Sequence, residues 1–177
     1  MYHKQASALV LLSIALCVFG TAEAQPASTS NPLDVVPEKI PFDVPYGAPI
    51  SVERAKGAIA AAVAEAARHD WKMNVAVVDS GGNLVAFQRM DGAQLASIEI
   101  SQHKARASAT FRRETKSFES GIQSDGFNYL LTLDGVIASR GGIPLIEKGK
   151  VVGAIGCSGG ASSQDELTCK AGAATLK

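Results

Sequence analysis

Imidazole is the side chain best suited to bind a metal or move a proton near neutral pH. Beyond residue 24 this chain has two histidines, His69 and His103. His69 closes a helical stretch and precedes Asp70 and Trp71. It reads either as a surface histidine whose charged form suits a helix C-terminus, or as a metal or haem-iron ligand. His103 stands inside a second helical stretch beside Lys104 and Arg106. It belongs either to a solvated face or to a ligand set. Lys104, Arg106, Arg112, Arg113 and Lys116 concentrate positive charge. They form a solvated face, or a partner for carboxylate groups such as porphyrin propionates or an organic acid. Arg106 and Arg113, seven apart, share a helical face if the helix runs that far.

Other chemistries are poorly supplied. A serine nucleophile needs a base and an orienting acid, and no Gly-x-Ser-x-Gly occurs; Cys157-Ser158-Gly159-Gly160 is only an echo of it. Gly156 to Ser163 offers a glycine-rich turn between a strand and a helix. It lacks the Walker lysine and the full dinucleotide fingerprint, which leaves a tight turn or a set of backbone N–H groups able to bind a carboxylate. With Arg89-Met90-Asp91 it would line the pocket of an enzyme or accessory protein acting on a small organic acid. Cys157 and Cys169 are either two small buried hydrophobes or a disulfide pair. No Cys-x-x-Cys or Cys/His zinc spacing is present.

The elements that must position these groups follow from periodicity. Ser51 to His69 reads as a helix capped by Ser51, with Val52, Ala55, Ile59, Ala62, Val63 and Ala66 along one face. Its alanines predict close packing against a sheet. Asn74–Asp79 and Leu84–Arg89 read as a hairpin around Ser80-Gly81-Gly82-Asn83. Leu95–Phe111 is a second helix, with Ile98, Gln102, Ala105 and Ala109 sharing a face, and Glu114–Gly121 a short third. Gly135–Ala138, Ile143–Ile146 and Val151–Cys157 are strand candidates. A last helix covers Ser162–Leu176, capped by Ser163 with Glu166 or Ser162 with Asp165. The expected fold is α+β: a single antiparallel sheet of about five strands flanked by helices, layered as in profilin.

The chain begins with a weakly basic stretch (His3, Lys4), an apolar run from Ala8 to Gly20, and small residues at Ala22 and Ala24. This is the pattern of a signal peptide cleaved after Ala24. The apolar run is shorter than the roughly 20 residues that span a bilayer, so no stable membrane insertion is expected after cleavage. The protein is therefore expected to be exported, to the periplasm or beyond. Cleavage removes one base and one acid, Lys4 and Glu23, from 17 of each, and the chain stays neutral. That charge balance gives no footing for nucleic acid. Gln25–Pro49 is rich in Pro, Ser and Asn and reads as an extended arm or linker. Residues 50–177 form the expected single domain.

Val75-Ala76-Val77-Val78-Asp79-Ser80-Gly81-Gly82-Asn83-Leu84, followed by Arg89-Met90-Asp91-Gly92-Ala93, resembles the HbpS/GlcG-like family of haem-binding proteins. The resemblance continues through Lys104-Ala105, Ala109-Thr110-Phe111 with Thr115, and Gly141-Gly142-Ile143-Pro144. It resumes over Gly149–Gly160, Asp165-Glu166 and Ala171-Gly172, and so covers nearly all of Ser51–Leu176. It implies homo-oligomers, a haem cofactor and haem or iron handling, with binding favoured over turnover and haem degradation known among members. Other members accompany glycolate or corrinoid metabolism. The implied iron ligand is His69 or Thr115, with His103 a further candidate. Arg106 or Arg113 would meet propionates, and Met90 and Phe111 would pack on the macrocycle. Cys157 and Cys169 replace residues that are apolar and alanine in the family, a paired change that implies a disulfide between the last strand and last helix. Glu114 stands where proline is common, and His103 where small polar or acidic residues are frequent.

Overall fold

A computed structural model describes residues 31–176. Residues 1–24, where a signal peptide is expected, and the first six residues of the expected arm lie outside the described residues. A 3-10 turn at Pro32–Asp34, with the Leu33 N–H donating to Asn31 Oδ1 (3.0 Å), belongs to a unit ending at Val35. Everything from Val36 onward forms a second unit.

That unit contains α1 (Val52–Arg68), β1 (Asn74–Asp79), β2 (Leu84–Arg89), α2 (Ser97–Phe111), α3 (Lys116–Gln123), β3 (Gly142–Glu147), β4 (Lys150–Ser158) and α4 (Ser162–Ala173). A 3-10 turn, Asn128–Thr132, follows α3. The sheet is antiparallel in the order β2-β1-β4-β3. β1 runs Val75, Val77 towards one face and Ala76, Val78 towards the other, and each face carries its own apolar cluster. α1 and α4 cover the first face and α2 the second, giving three layers.

The architecture is the expected one with four strands instead of about five. Gly135–Ala138 is not a strand. Val136 and Ile137 are used as side chains, in a separate apolar cluster with Phe111, Phe118 and Leu130. An extra backbone pairing comes from the arm. The Gly47 N–H donates to Val151 O (2.8 Å), the Val151 N–H to Pro45 O (2.8 Å) and the Ile50 N–H to Val152 O (2.9 Å). Tyr46 thereby bridges β4 in parallel, beyond the point where β1 stops.

Ser51 caps α1 as expected, accepting from the Arg54 N–H. The alanine face meets α4 as well as the sheet: Ala55, Ala58, Ala62 and Ala66 are fully buried. At Gly172 of α4 a Cβ would sit 2.7 Å from Ala58 O and 2.6 Å from Ile155 Cδ1, so only glycine permits this crossing. Of the expected face of α2, Ala105 and Ala109 are fully buried and Ile98 and Gln102 half-buried. Ser97, Ser101, Lys104 and Ser108 are buried with them, small or polar residues that let the helix lie close on β4. α4 begins without a serine cap. Gln164 instead reaches back to accept from the Ala161 N–H (2.8 Å). Cys157 of β4 and Cys169 of α4 are joined by a disulfide (S–S 2.05 Å, Cα–Cα 5.6 Å), and both are fully buried. Among the described residues no helix is long and apolar enough to cross a membrane.

Candidate functional site

The chain leaves α1 through a tight exit. His69 N–H donates to Ala66 O, Asp70 adopts a left-handed backbone (φ 58°), and the Trp71 N–H returns to Ala66 O (3.0 Å). This folds His69 against Trp71, ring centroids 4.4 Å apart and 17° from parallel. His69 Nε2 lies 3.1 Å from Glu65 Oε1, one helical turn earlier. A carboxylate holding one ring N–H fixes the tautomer that leaves the other nitrogen free to ligate; here that nitrogen is Nδ1. The His69 side chain is 43% exposed. Met90 arrives at the same end of the sheet: its N–H donates to Met73 O (3.0 Å), and it packs with Trp71 on the rim of the larger apolar cluster. Arg89, exposed, is its chain neighbour. The backbone pairing of Met90 with Met73 places the end of β2 beside the strand that follows His69 and Trp71.

The other candidates lie elsewhere. His103 Nε2 is 3.2 Å from Gly135 O, which ties α2 to the loop after the Asn128–Thr132 turn. Arg106 is exposed, its stem near Gly82 of the β1–β2 turn. Thr115 is fully buried; its Oγ1 accepts from the Gly142 N–H (2.9 Å) and its own N–H donates to Gly142 O (3.0 Å). Thr115 therefore fastens the start of α3 to β3, and its oxygen faces the interior. α2 stops at Phe111 because Arg112 turns left-handed (φ 55°), so Arg106 and Arg113 do not share a helical face. Arg113 instead lies over the Phe42 ring of the arm (3.7 Å). Phe111 makes an edge contact with Phe118 (5.2 Å, 77°). α2, 15 residues and so about 22 Å long, separates the His69 end from the Arg113 end. Gln94 O accepts from Asn74 Nδ2 at the first end, and the Tyr46 hydroxyl donates to Ala109 O and Thr110 O at the second.

The expected cationic surface is also divided. Lys104 is 1% exposed, and its ammonium lies 2.7 Å from Asp165 Oδ2. Asp165 accepts in addition from the Gly160 N–H (3.1 Å) and the Gly159 N–H. The carboxylate that these two N–H groups of the glycine-rich turn bind is therefore the chain's own Asp165. Burial pushes the Asp165 carboxyl up, against the pull of Lys104 and the two N–H groups. Beside it, Arg140 binds Glu119 (2.5 Å) and reaches Glu166 (3.4 Å), which Lys116 (3.4 Å) and Lys170 (2.5 Å) also approach. Burial would raise Glu119 and Glu166, but hydrogen bonds and charge outweigh it: Arg140 holds Glu119, and Lys170 with Lys116 holds Glu166, below the usual carboxylate range. This network escaped the sequence reading. Its members are scattered over α2, α3, α4 and the loop before β3, and no local spacing announces them.

Among the described residues, no three His, Cys, Asp or Glu side chains gather to hold a metal ion. Iron brought inside a porphyrin needs only an axial group, and His69 is the exposed candidate.

The model of the haem-degrading HbpS-like family matches residues 50–174. Protein GlcG of Escherichia coli K12 is 39% identical over 109 residues, which are 62% of this chain and 81% of GlcG. The crystal structure of a double mutant of Streptomyces reticuli HbpS superposes with a TM-score of 0.68 at 27% identity, covering 88% of this chain and 99% of that one. A PduOC–heme complex, 24% identical, shares the fold with a TM-score of 0.66 over 73% of this chain and 96% of its own. The chain belongs to the HbpS-like family of haem-degrading proteins.

Proposed function

We propose that the protein is exported, with mature residues 25–177, that it binds haem as a homo-oligomer, and that it serves haem or iron handling by binding more than by turnover. The observation that supports the haem reading is the family match over residues 50–174; the proposal of export rests on the pattern of residues 1–24. The residues present fit the group. His69, backed by Glu65, supplies one axial nitrogen. Trp71 and Met90 supply apolar surface beside it, and Arg89, at the same end of the sheet, takes over from Arg106 and Arg113 as propionate partner. Thr115 is unsuited because its oxygen is buried and bonded. His103 ranks second because its Nε2 is engaged by a backbone carbonyl. Bound haem would supply the redox and oxygen chemistry of its iron; the chain supplies the axial nitrogen, the apolar contact and the counter-charge.

Haem titration of residues 25–177 should give a saturable Soret change that H69A shifts or abolishes and H103A retains. Absence of a saturable change refutes the haem reading. A change indifferent to H69A moves the ligand elsewhere. Mass analysis of the extracytoplasmic fraction should find a chain beginning at Gln25; an intact chain confined to the cytosol refutes export.

A further inference from the structure

A groove of about 460 Å3 opens at the end of the molecule away from His69, between α3, the Asn128–Thr132 turn and the arm. That volume falls within the range of small-molecule sites. Its walls are aromatic: Phe42, Phe118, Phe127 and Tyr129. Gly121 lies against Leu130 and Phe127, where a Cβ would sit 2.8 Å from Leu130 Cδ1.

One cation faces this groove. Arg113 donates from Nε to Phe111 O (3.1 Å), and its guanidinium lies over the rings of Phe42 (3.7 Å) and Phe118 (5.5 Å). These contacts fix the guanidinium and leave the Nη edge. Among the described residues no carboxylate pairs with Arg113, in contrast to Arg54, Arg68, Arg112 and Arg140. A fixed guanidinium edge is the geometry that binds a carboxylate through two parallel hydrogen bonds. Burial, and after it the charge of Arg112, loosens the hold of Arg113 on its proton, with Tyr129 opposing. Asp125, exposed, lines the same groove, so the pull of Arg113 on an anion has to outweigh its repulsion.

Phe42 adds an independent observation. Its backbone is left-handed (φ 60°), a conformation that bulky residues avoid. The arm has other anchors: Tyr46 on α2, and Val44 O, which accepts from Arg112 Nη1 (3.1 Å). The Phe42 ring can therefore leave Arg113 while the arm stays in place, and leaving relieves the backbone.

We propose that this groove is a second ligand site, taking a one- or two-ring aromatic monocarboxylate with its carboxylate on Arg113 and its ring in the place of Phe42. The site is independent of haem and lies about the length of α2 from His69.

The test uses residues 25–177, with 1-naphthoate as ligand and 1-naphthalenemethanol as its uncharged counterpart, by calorimetric titration. The acid should bind saturably and about tenfold more tightly than the alcohol, the scale of one charge-assisted contact. R113M should erase that preference. R113K, which keeps the charge without the planar fork, should keep part of it. F42G, free of both the ring and the backbone constraint, should bind the acid more tightly than the native chain. Equal affinity for acid and alcohol overturns the proposal, as does an R113M protein of native circular dichroism that keeps the preference. If R113M fails to fold, undiminished preference in R113K has the same force. H69A should leave naphthoate binding unchanged and R113M should leave the Soret response unchanged, so failure of this site and failure of the haem reading are told apart.

Discussion

Replacing Cys157 and Cys169 together by alanine should cost residues 25–177 a large part of their stability. The bridge closes a loop of sequence separation 12. The chain-entropy relation for a loop of that length gives about 3 kcal/mol, from restricting the unfolded chain. Both side chains are fully buried, between β4, α4 and the alanine face of α1. Each lost sulfur leaves a void worth about 1 kcal/mol. The sum, about 5 kcal/mol, corresponds to a fall in melting temperature of roughly 10–20 °C for a domain of this size. Thermal unfolding followed by circular dichroism measures it directly. The native protein treated with reductant below its melting temperature should keep its bridge, because neither sulfur is accessible until the β4–α4 contact opens. A double variant melting within about 3 °C of the native chain would refute the loop argument, since that shift corresponds to only about 1 kcal/mol.

Three further outcomes follow from other parts of the fold. K104M leaves Asp165 buried without its cation and should cost about 3–5 kcal/mol in urea denaturation, whereas K104M/D165L, which removes both charges, should recover most of it. G57A should stabilise by roughly 0.5–1 kcal/mol, because Gly57 is interior to α1, is exposed and has nothing within 4 Å of an added Cβ. Glu119 and Glu166 titrate below the ordinary value of 4.5 in the folded state, so their contribution is complete above that pH and is lost as pH falls through the depressed values. Stability measured from pH 6 to pH 3 should fall steeply below 4.5, and E119Q should flatten that slope.

The elements legible in the sequence were those whose burial alternates at a fixed period. α1 had its alanine face, the β1–β2 hairpin its glycine turn, and β4 its continuous apolar run. The failures have a common physical origin. α2 buries Ser97, Ser101, Lys104 and Ser108 beside Ala105 and Ala109, so a hydrophobicity pattern finds only part of its buried face. Spacings of four and three between small residues were the available signal. Gly135–Ala138 has strand-like composition, but its apolar side chains fill a cluster rather than line a sheet face. Lys104 could be placed inside only by knowing that Asp165, 61 residues away, lies opposite it. At the site, Met90 pairs with Met73, so the end of β2 lies beside the strand that follows His69 and Trp71. Arg106 and Arg113 would share a face only on a longer helix, and a left-handed Arg112, a conformation rare outside glycine and asparagine, ends α2 where the sequence reading ended it, at Phe111.

The position of β4 bears on how the molecule is made. The arm, β1 and β3 all hydrogen-bond to β4, which is the last strand in the chain. Of the sheet, only the β1–β2 hairpin is complete until Lys150–Ser158 has been synthesised, and an isolated hairpin is at best marginally stable. A growing chain therefore stays open until β4 has been made. Closure then comes late and all at once, with long-range pairings that fold slowly. Cys157 lies on that same strand, so the Cys157–Cys169 bridge ties α4 to the one element on which the arm, β1 and β3 all depend.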